Sequence, residues 1–120
     1  MGKAISTELS ELIVKILAFR DARDWAQFHS FKNLAAALSV EAAELLELTQ
    51  WKTDLQLESE LNDEPMRSEV AGEVADILIY LLLICEKFSL DPIEEAFRKI
   101  GRNELRYPVE KSRGNAKKQS

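Results

Sequence analysis

A chain of 120 residues, 46% hydrophobic and 31% charged, is long enough for one globular domain and too apolar for a disordered segment. Its four glycines and three prolines argue against a turn-rich β fold, and its longest apolar run, nine residues, is too short to cross a membrane. The net charge of −5 argues against a nucleic-acid polymer as partner, and the single cysteine, Cys85, excludes an internal disulfide. Because the N-terminus lacks a signal-peptide pattern, we expect a cytoplasmic protein in which Cys85 is a buried, inert thiol.

Apolar residues recur at helical spacing along most of the chain, which predicts an all-α fold. The first helix is predicted over residues 7–28. After a short break, in which Ser30 or Asn33 can cap the next helix, a second helix is predicted over residues 34–51. Residues 53–64 are polar and acidic, and we predict a loop there with room for one helical turn.

Pro65 suits the first turn of a third helix, with Asn62 or Asp63 near its cap. This helix is predicted to extend to residue 88, and it is apolar on every side from Ile77 onward. A helix of that kind must be covered all round. Three partner helices in so short a chain do not suffice, which favours burial against another subunit.

Residues 91–94, Asp-Pro-Ile-Glu, are a compact helix-start signal, with Asp as cap and Pro at the first position. The fourth helix is predicted to run to about Leu105 and to end at the Tyr-Pro pair 107–108. Four helices with short connections predict a four-helix bundle as a single domain over residues 1–108. Residues 109–120 are predicted to be a basic, flexible tail.

Charge is distributed unevenly along the chain. Residues 41–76 carry eleven acidic side chains against two basic ones, Lys52 and Arg67, whereas the last ten residues carry four basic side chains and no acidic one. An acidic centre with a basic tail suits a cation-bound polyphosphate. A solvated, disordered end is an equally good interpretation of the tail.

Two pairs of acidic residues stand on predicted helices where apolar side chains are expected. Glu41 and Glu44 form an E-x-x-E pair on the second helix, and Glu73 and Asp76 form an E-x-x-D pair on the third. Glu41 lies within a stripe of leucines, and Glu73 and Asp76 share a stripe with Tyr80. A core-facing carboxylate is costly unless it is paired or bound to a metal. The four side chains therefore predict a site for one or two Mg²⁺ ions, and with it phosphate chemistry.

Other metal and catalytic centres fit the sequence less well. A di-iron carboxylate bundle uses Glu-x-x-His, but the only histidine, His29, has no glutamate three residues before it. The chain also lacks a glycine-rich phosphate loop and a Cys/His zinc pattern. Trp25, His29 and Trp51 bracket the acidic second helix. A place in the core is the safer expectation for either tryptophan, but beside a metal–phosphate site such rings can stack on a nucleobase.

Three segments carry a resemblance to a known family: RDWAQFHSFKNLAAALSVEAAELLELTQW, GEVADILIYL and NELRYP. With both acidic pairs in register, they resemble the all-α nucleoside triphosphate pyrophosphohydrolases of the MazG-like superfamily, most of all the dCTP pyrophosphatase branch. The resemblance covers roughly residues 8–118. It implies a bundle assembled as a homodimer or a dimer of dimers. It also implies Mg²⁺-dependent hydrolysis, with Mn²⁺ as an alternative metal, of dCTP or a modified pyrimidine deoxynucleotide to the monophosphate and pyrophosphate, in nucleotide-pool house-cleaning.

The resemblance also implies roles for particular residues. The implied metal ligands are Glu41, Glu44, Glu73 and Asp76. The implied base pocket consists of Trp25, His29 and Trp51. The residues implied to lie near the sugar and phosphates are Tyr80, Lys99 and Asn103. A glutamate of the first pair would orient or deprotonate the attacking water, and we predict Glu44 rather than Glu41 for this role. The basic tail would close over the polyphosphate.

Two positions depart from the family pattern. Phe31 stands where a proline is usual, so the entry to the second helix and the base pocket can differ. Gln119 stands where a tyrosine usually follows the paired lysines, so closure by the tail is expected to be weaker. Two alternatives to an enzyme stay open: a non-catalytic nucleotide-binding or regulatory bundle, and a structural assembly in which the acids pair with Lys99 or Arg102.

Overall fold

The structure, a computed structural model, describes residues 7–118, and within that range it contains helices and no strand. The helices are α1 (Thr7–Ala22), α2 (Phe31–Glu47), α3 (Asp54–Ser59), α4 (Met66–Lys87), α5 (Pro92–Arg106) and α6 (Val109–Ser112), with a 3₁₀ turn (Ala26–Phe28) before α2. The prediction of an all-α chain is confirmed. No helix in the described range is both long and apolar enough to span a membrane.

Helix α1 ends at Ala22, six residues before the end predicted from the sequence. Asp24 takes a left-handed conformation with φ of 54°, which a helix cannot continue through. The backbone N–H of Trp25 then donates to the carbonyl of Arg20 at 3.0 Å, and the N–H of Asp24 to that of Asp21 at 3.1 Å. These two bonds form a Schellman motif, which satisfies the last carbonyls of the helix. The chain thereby turns back at the end of the helix and brings the backbone of Trp25 next to that of Arg20.

Helix α2 begins at Phe31, earlier than predicted, and ends at Glu47, four residues before the predicted end. Ser30 is its cap, because the Ser30 hydroxyl accepts from the backbone N–H of Asn33 at 3.1 Å. Asn33, the other predicted cap, instead donates from its side chain to the carbonyl of Phe28. The predicted helical turn within residues 53–64 is present as α3.

Helix α4 begins close to the predicted position, but Pro65 is its cap residue, in place of Asn62 or Asp63. Helix α4 ends in the same way as α1: Ser89 has a left-handed φ of 53°, and the N–H of Leu90 donates to the carbonyl of Cys85 at 2.9 Å. Helix α5 begins as predicted, with the Asp91 carboxylate accepting from two backbone N–H groups.

Helices α1 and α2 both pack on α4, and their shared core contains Ile16, Leu34, Leu82 and Leu83. Leu34 is only 1% exposed. Cys85 is buried, as predicted, and burial raises the pKa of its thiol, which favours the unreactive protonated form.

Helix α5 does not close a bundle within the described part of one chain, because neither α1, α2 nor α4 packs along it extensively. The apolar side chains on α5 are exposed, among them Ile93, Phe97 and Ile100. The radius of gyration is 17.8 Å, against about 14 Å for a compact chain of this length. Helix α6 lies in the segment predicted as a tail, and the domain boundary at residue 108 stays a prediction. Gln119 lies outside the described residues.

Candidate metal site and adjoining cavity

Three of the four predicted metal ligands converge between α2 and α4. The helices run antiparallel, so that Leu34 meets the later part of α4 while Glu41, two turns further along α2, faces Glu73 and Asp76. One carboxylate oxygen from each of these three acids lies within 4.8 Å of the other two. The packing of α2 on α4 thus determines the geometry of the cluster.

The carboxylate cluster requires a proton or a cation. Oε2 of Glu41 and Oε2 of Glu73 are both buried without a hydrogen-bond partner in the described residues. Two ionised carboxylates cannot hydrogen-bond to each other, since neither has a donor. A proton on Glu41 supplies the missing donor: hydrogen bonding of the protonated side chain with Glu73, followed by burial and the neighbouring Glu44 and Asp76, raises the pKa of Glu41 to about 7. These hard oxygen donors fit a divalent cation such as Mg²⁺, which would take the place of the proton.

Glu44 lies beside this cluster and not within it. It is one turn beyond Glu41 on α2 and half-buried, and both its hydrogen bonding and its charge contribute to the raised pKa of Glu41. The group of oxygens within 4.8 Å does not include it. Its roles as ligand and as the residue that orients water therefore stay predictions.

A cavity of about 380 Å³ adjoins the cluster, and Asp76 belongs to its wall. The remaining wall comes from α1, from the turn before α2, and from α4, and most of it is apolar. Three of the predicted nucleotide-binding residues line it: Trp25, His29 and Tyr80. The cavity thus connects the cluster with the aromatic side chains near the end of α1.

Trp25 is not a core residue, contrary to the safer expectation for a tryptophan, since it is 43% exposed. The Schellman motif at the end of α1 brings it back toward Phe19, and the two rings meet edge to face with centroids 5.7 Å apart. Phe19 also lines the cavity. The Trp25 ring is therefore held in the wall while part of it stays available for contact.

His29 has a buried Nδ1 atom without a hydrogen-bond partner in the described residues. Burial lowers the pKa of its imidazole, and the positive charges of Arg20 and Lys87 lower it further. At neutral pH the ring is consequently uncharged, with one nitrogen able to donate and the other able to accept.

The other predicted binding residues do not line the cavity. Trp51 follows the end of α2 and is 97% exposed, so the expectation of a core tryptophan is wrong here too. Lys99 and Asn103 lie on α5, which does not pack along the helices that form the cavity. Phe31, which stands in place of the family's proline, packs edge to face on Phe88 with ring centroids 4.9 Å apart, outside the cavity wall.

Arg20 lines the cavity and was not singled out from the sequence. The available signal was its position: it lies four residues after Ile16 and continues the stripe made by Leu9, Ile13 and Ile16 on α1. A basic residue on an apolar stripe is therefore a candidate functional residue, as an acidic one is.

Comparison with known proteins places these features in a family context. The sequence model of the MazG-like family matches residues 36–120. Over 98 residues the chain is 39% identical to mouse (Mus musculus) dCTP pyrophosphatase 1, covering 82% of this chain and 58% of that protein. For the human (Homo sapiens) dCTP pyrophosphatase 1, identity is 36% over 100 residues, or 83% of this chain and 59% of the relative. The chain thus spans less than two thirds of the length of these curated relatives.

A solved structure is also similar. The crystal structure of a pyrophosphatase from Archaeoglobus fulgidus DSM 4304 superimposes with a TM-score of 0.79 at 40% sequence identity. The match covers 90% of this chain and 99% of that one. The likeness therefore extends over nearly the whole fold described above.

Proposed function

Because the chain belongs to the MazG-like family, we propose that it is a nucleoside triphosphate pyrophosphohydrolase, which produces a nucleoside monophosphate and pyrophosphate. The observation that carries the proposal is the junction between the acidic cluster and the cavity at Asp76. Oxygen ligands suit a cation-bound polyphosphate, and an apolar cavity with aromatic walls suits a base. Because the two regions share Asp76, one nucleotide can occupy both.

The chain's own residues supply binding and orientation. A divalent cation held by Glu41, Glu73 and Asp76 would neutralise the triphosphate and acidify a water molecule; we propose Mg²⁺, with Mn²⁺ as an alternative. Glu44, one turn from Glu41, is proposed to orient the attacking water and to take its proton, and Glu41 is the other candidate. The water oxygen attacks the α-phosphorus, the bond between that phosphorus and the bridging oxygen breaks, and pyrophosphate leaves.

The substrate that we propose is dCTP or a modified pyrimidine deoxynucleotide, removed in nucleotide-pool house-cleaning. The mouse and human relatives named dCTP pyrophosphatase 1 support this, as does the size of a cavity that Trp25 and neutral His29 line. Stacking of the base on the Trp25 ring would hold it, and the Tyr80 hydroxyl would face the sugar.

We also propose that the active form is a homodimer or homotetramer. The exposed apolar side chains of α5 and the almost fully exposed Trp51 support this proposal, because a second copy of the chain could cover them. Such an assembly would also allow Trp51, Lys99 and Asn103 to act at the cavity of another subunit, since they do not line the cavity of their own.

The experiment that tests the function measures pyrophosphate and orthophosphate release from dCTP, 5-methyl-dCTP, dUTP, dTTP, dATP and the ribonucleotides, with and without Mg²⁺. We expect Mg²⁺-dependent pyrophosphate release that is fastest with a cytosine deoxynucleotide. Orthophosphate as the product would contradict attack at the α-phosphorus. Tight nucleotide binding without any release, in Mg²⁺ or Mn²⁺, would favour the non-catalytic bundle.

A further inference from the structure

We propose that Arg20 determines base choice: its guanidinium donates to two adjacent acceptor atoms on the base and so selects cytosine over uracil and thymine. The inference rests on the proposed function in one respect, that a nucleobase occupies the cavity lined by Trp25 and His29.

The surroundings of Arg20 hold its guanidinium in the cavity wall. Its side chain is 22% exposed, and its Nε donates to Oδ1 of Asp21 at 2.8 Å. Asp21 is well exposed and binds the Nε edge of the guanidinium. The two terminal nitrogens of Arg20 make no hydrogen bond with any residue from 7 to 118. Because Arg20 lines the cavity, this planar fork of donors is available for a ligand.

Arg20 belongs to the aromatic end of the cavity, away from the acidic cluster. Its carbonyl accepts from the N–H of Trp25, which ties the two residues together. The positive charges of Arg20 and Lys87 both act on His29. Lys87 ends α4, eleven residues or about 16 Å along the helix from Asp76. The phosphates would lie near Asp76, so we place the base, and not the phosphates, beside Arg20.

The chemistry of the fork favours one pyrimidine. Arg donates and cannot accept, so it needs two acceptors side by side. Cytosine presents O2 and N3 as neighbouring acceptors, whereas uracil and thymine present an N3–H donor between two carbonyl oxygens. Neutral His29 adds to this preference, because its unpartnered Nδ1 can accept from the exocyclic amino group that only cytosine carries among these bases.

The test compares Arg20→Lys and Arg20→Met with the wild-type protein. The control is Arg23→Met, because Arg23 lies one turn on, stacks over the Phe19 ring at 3.6 Å and does not line the cavity. The readouts are kcat/KM for dCTP, dUTP, dTTP and dGTP, and the affinities of dCMP and dUMP without metal. We expect both Arg20 variants to lower the dCTP-to-dUTP ratio by roughly tenfold or more, the size of one lost bidentate base contact, and Arg23→Met to leave it unchanged.

The lysine variant distinguishes recognition by paired donors from attraction by a positive charge, because lysine keeps the charge and lacks the planar pair of donors. If Arg20→Lys keeps the wild-type ratio, or if Arg20→Met slows all nucleotides equally, Arg20 acts as a point charge or a structural residue and the proposal is wrong. A wild-type preference for dGTP, which also has two adjacent acceptors, would likewise overturn it. Should the protein hydrolyse no nucleotide, the proposed function fails. Tighter binding of dCMP than dUMP, lost in Arg20→Met, would still support the role of Arg20, and equal binding would refute it.

Discussion

Among single residues, the carboxylates were predictable from the sequence and the tryptophans were not. Glu41, Glu73 and Asp76 could be found because helical periodicity is local, and a charged side chain on an apolar stripe is visible without knowledge of the partner helix. The exposure of Trp25 and Trp51 depends on which surfaces surround them in three dimensions. No local sequence pattern indicates these surfaces. The prediction of core tryptophans, which rested on the general preference of tryptophan for buried positions, was therefore wrong.

The raised pKa of Glu41 predicts an unusual pH dependence of stability. In the folded, metal-free protein the pKa is about 7 against an ordinary 4.5, so the folded state binds this proton more tightly than the unfolded state. Between pH 4.5 and pH 7 the unfolded state has released the proton that the folded state still holds. The free energy of unfolding therefore falls as the pH rises. In EDTA, the Tm of the wild type relative to Glu41→Gln should therefore fall as pH rises from about 5 to about 8.

The control for this prediction is the same comparison in saturating Mg²⁺. In Mg²⁺ the cation replaces the proton, so the Tm of the wild type should rise relative to that of Glu41→Gln at the upper end of the pH range. A difference in Tm that is independent of pH in EDTA would show that Glu41 titrates normally.

At the scale of helices, the sequence predicted the four long helices and misplaced several of their ends, and α6 lies in the segment predicted as a tail. Asp91 and Pro92 start α5 through local chemistry, and the prediction there is confirmed. Helix α1 stops early because Asp24 enters the left-handed region, which Asp adopts more readily than most residues but which no glycine marks in this sequence. Ser30 and Asn33 were equally good caps in the sequence, and the hydrogen bond to Ser30 decides between them.

The pairing of α2 with α4 predicts a large effect at Leu34. Leu34→Ala should lower the free energy of unfolding by about 2–5 kcal/mol, because it leaves a cavity in the core that joins these helices. Leu46→Ala, on the exposed side of the same helix, should change it by less than about 0.5 kcal/mol. Chemical denaturation at equilibrium measures both. Equal effects at the two positions would contradict the described packing.

For the whole molecule, the sequence predicted an all-α chain but not how far α5 stands from the other helices. Its apolar residues give α5 the pattern of a bundle helix, yet Ile93 and Ile100 are exposed in one chain. Periodicity predicts that an apolar face is buried, but it does not indicate whether the surface that buries it belongs to the same chain or to another subunit. The number of subunits therefore stays a prediction.

Self-association should depend on the apolar side chains of α5. Sedimentation equilibrium at micromolar concentration should give two or four times the chain mass of 13.7 kDa, and Ile100→Glu should shift the protein toward the monomer. Arg102→Glu, on the opposite side of α5, should leave the mass unchanged, so that a change in charge alone is controlled. A monomeric wild type would contradict the proposed assembly.

We propose that the acidic cluster between α2 and α4 drives pyrophosphate release, and variants of its carboxylates are the decisive experiment. Pyrophosphate release from dCTP in Mg²⁺ should be compared for the wild type, Glu41→Gln, Asp76→Asn and Glu47→Gln, each first shown to be folded by circular dichroism. Glu47 ends the same helix as Glu41 and lies outside the cluster. We predict that Glu41→Gln and Asp76→Asn lose about a hundredfold or more in kcat/KM while Glu47→Gln stays near the wild-type value. Near-wild-type activity in either cluster variant would show that the cluster is not the site of hydrolysis.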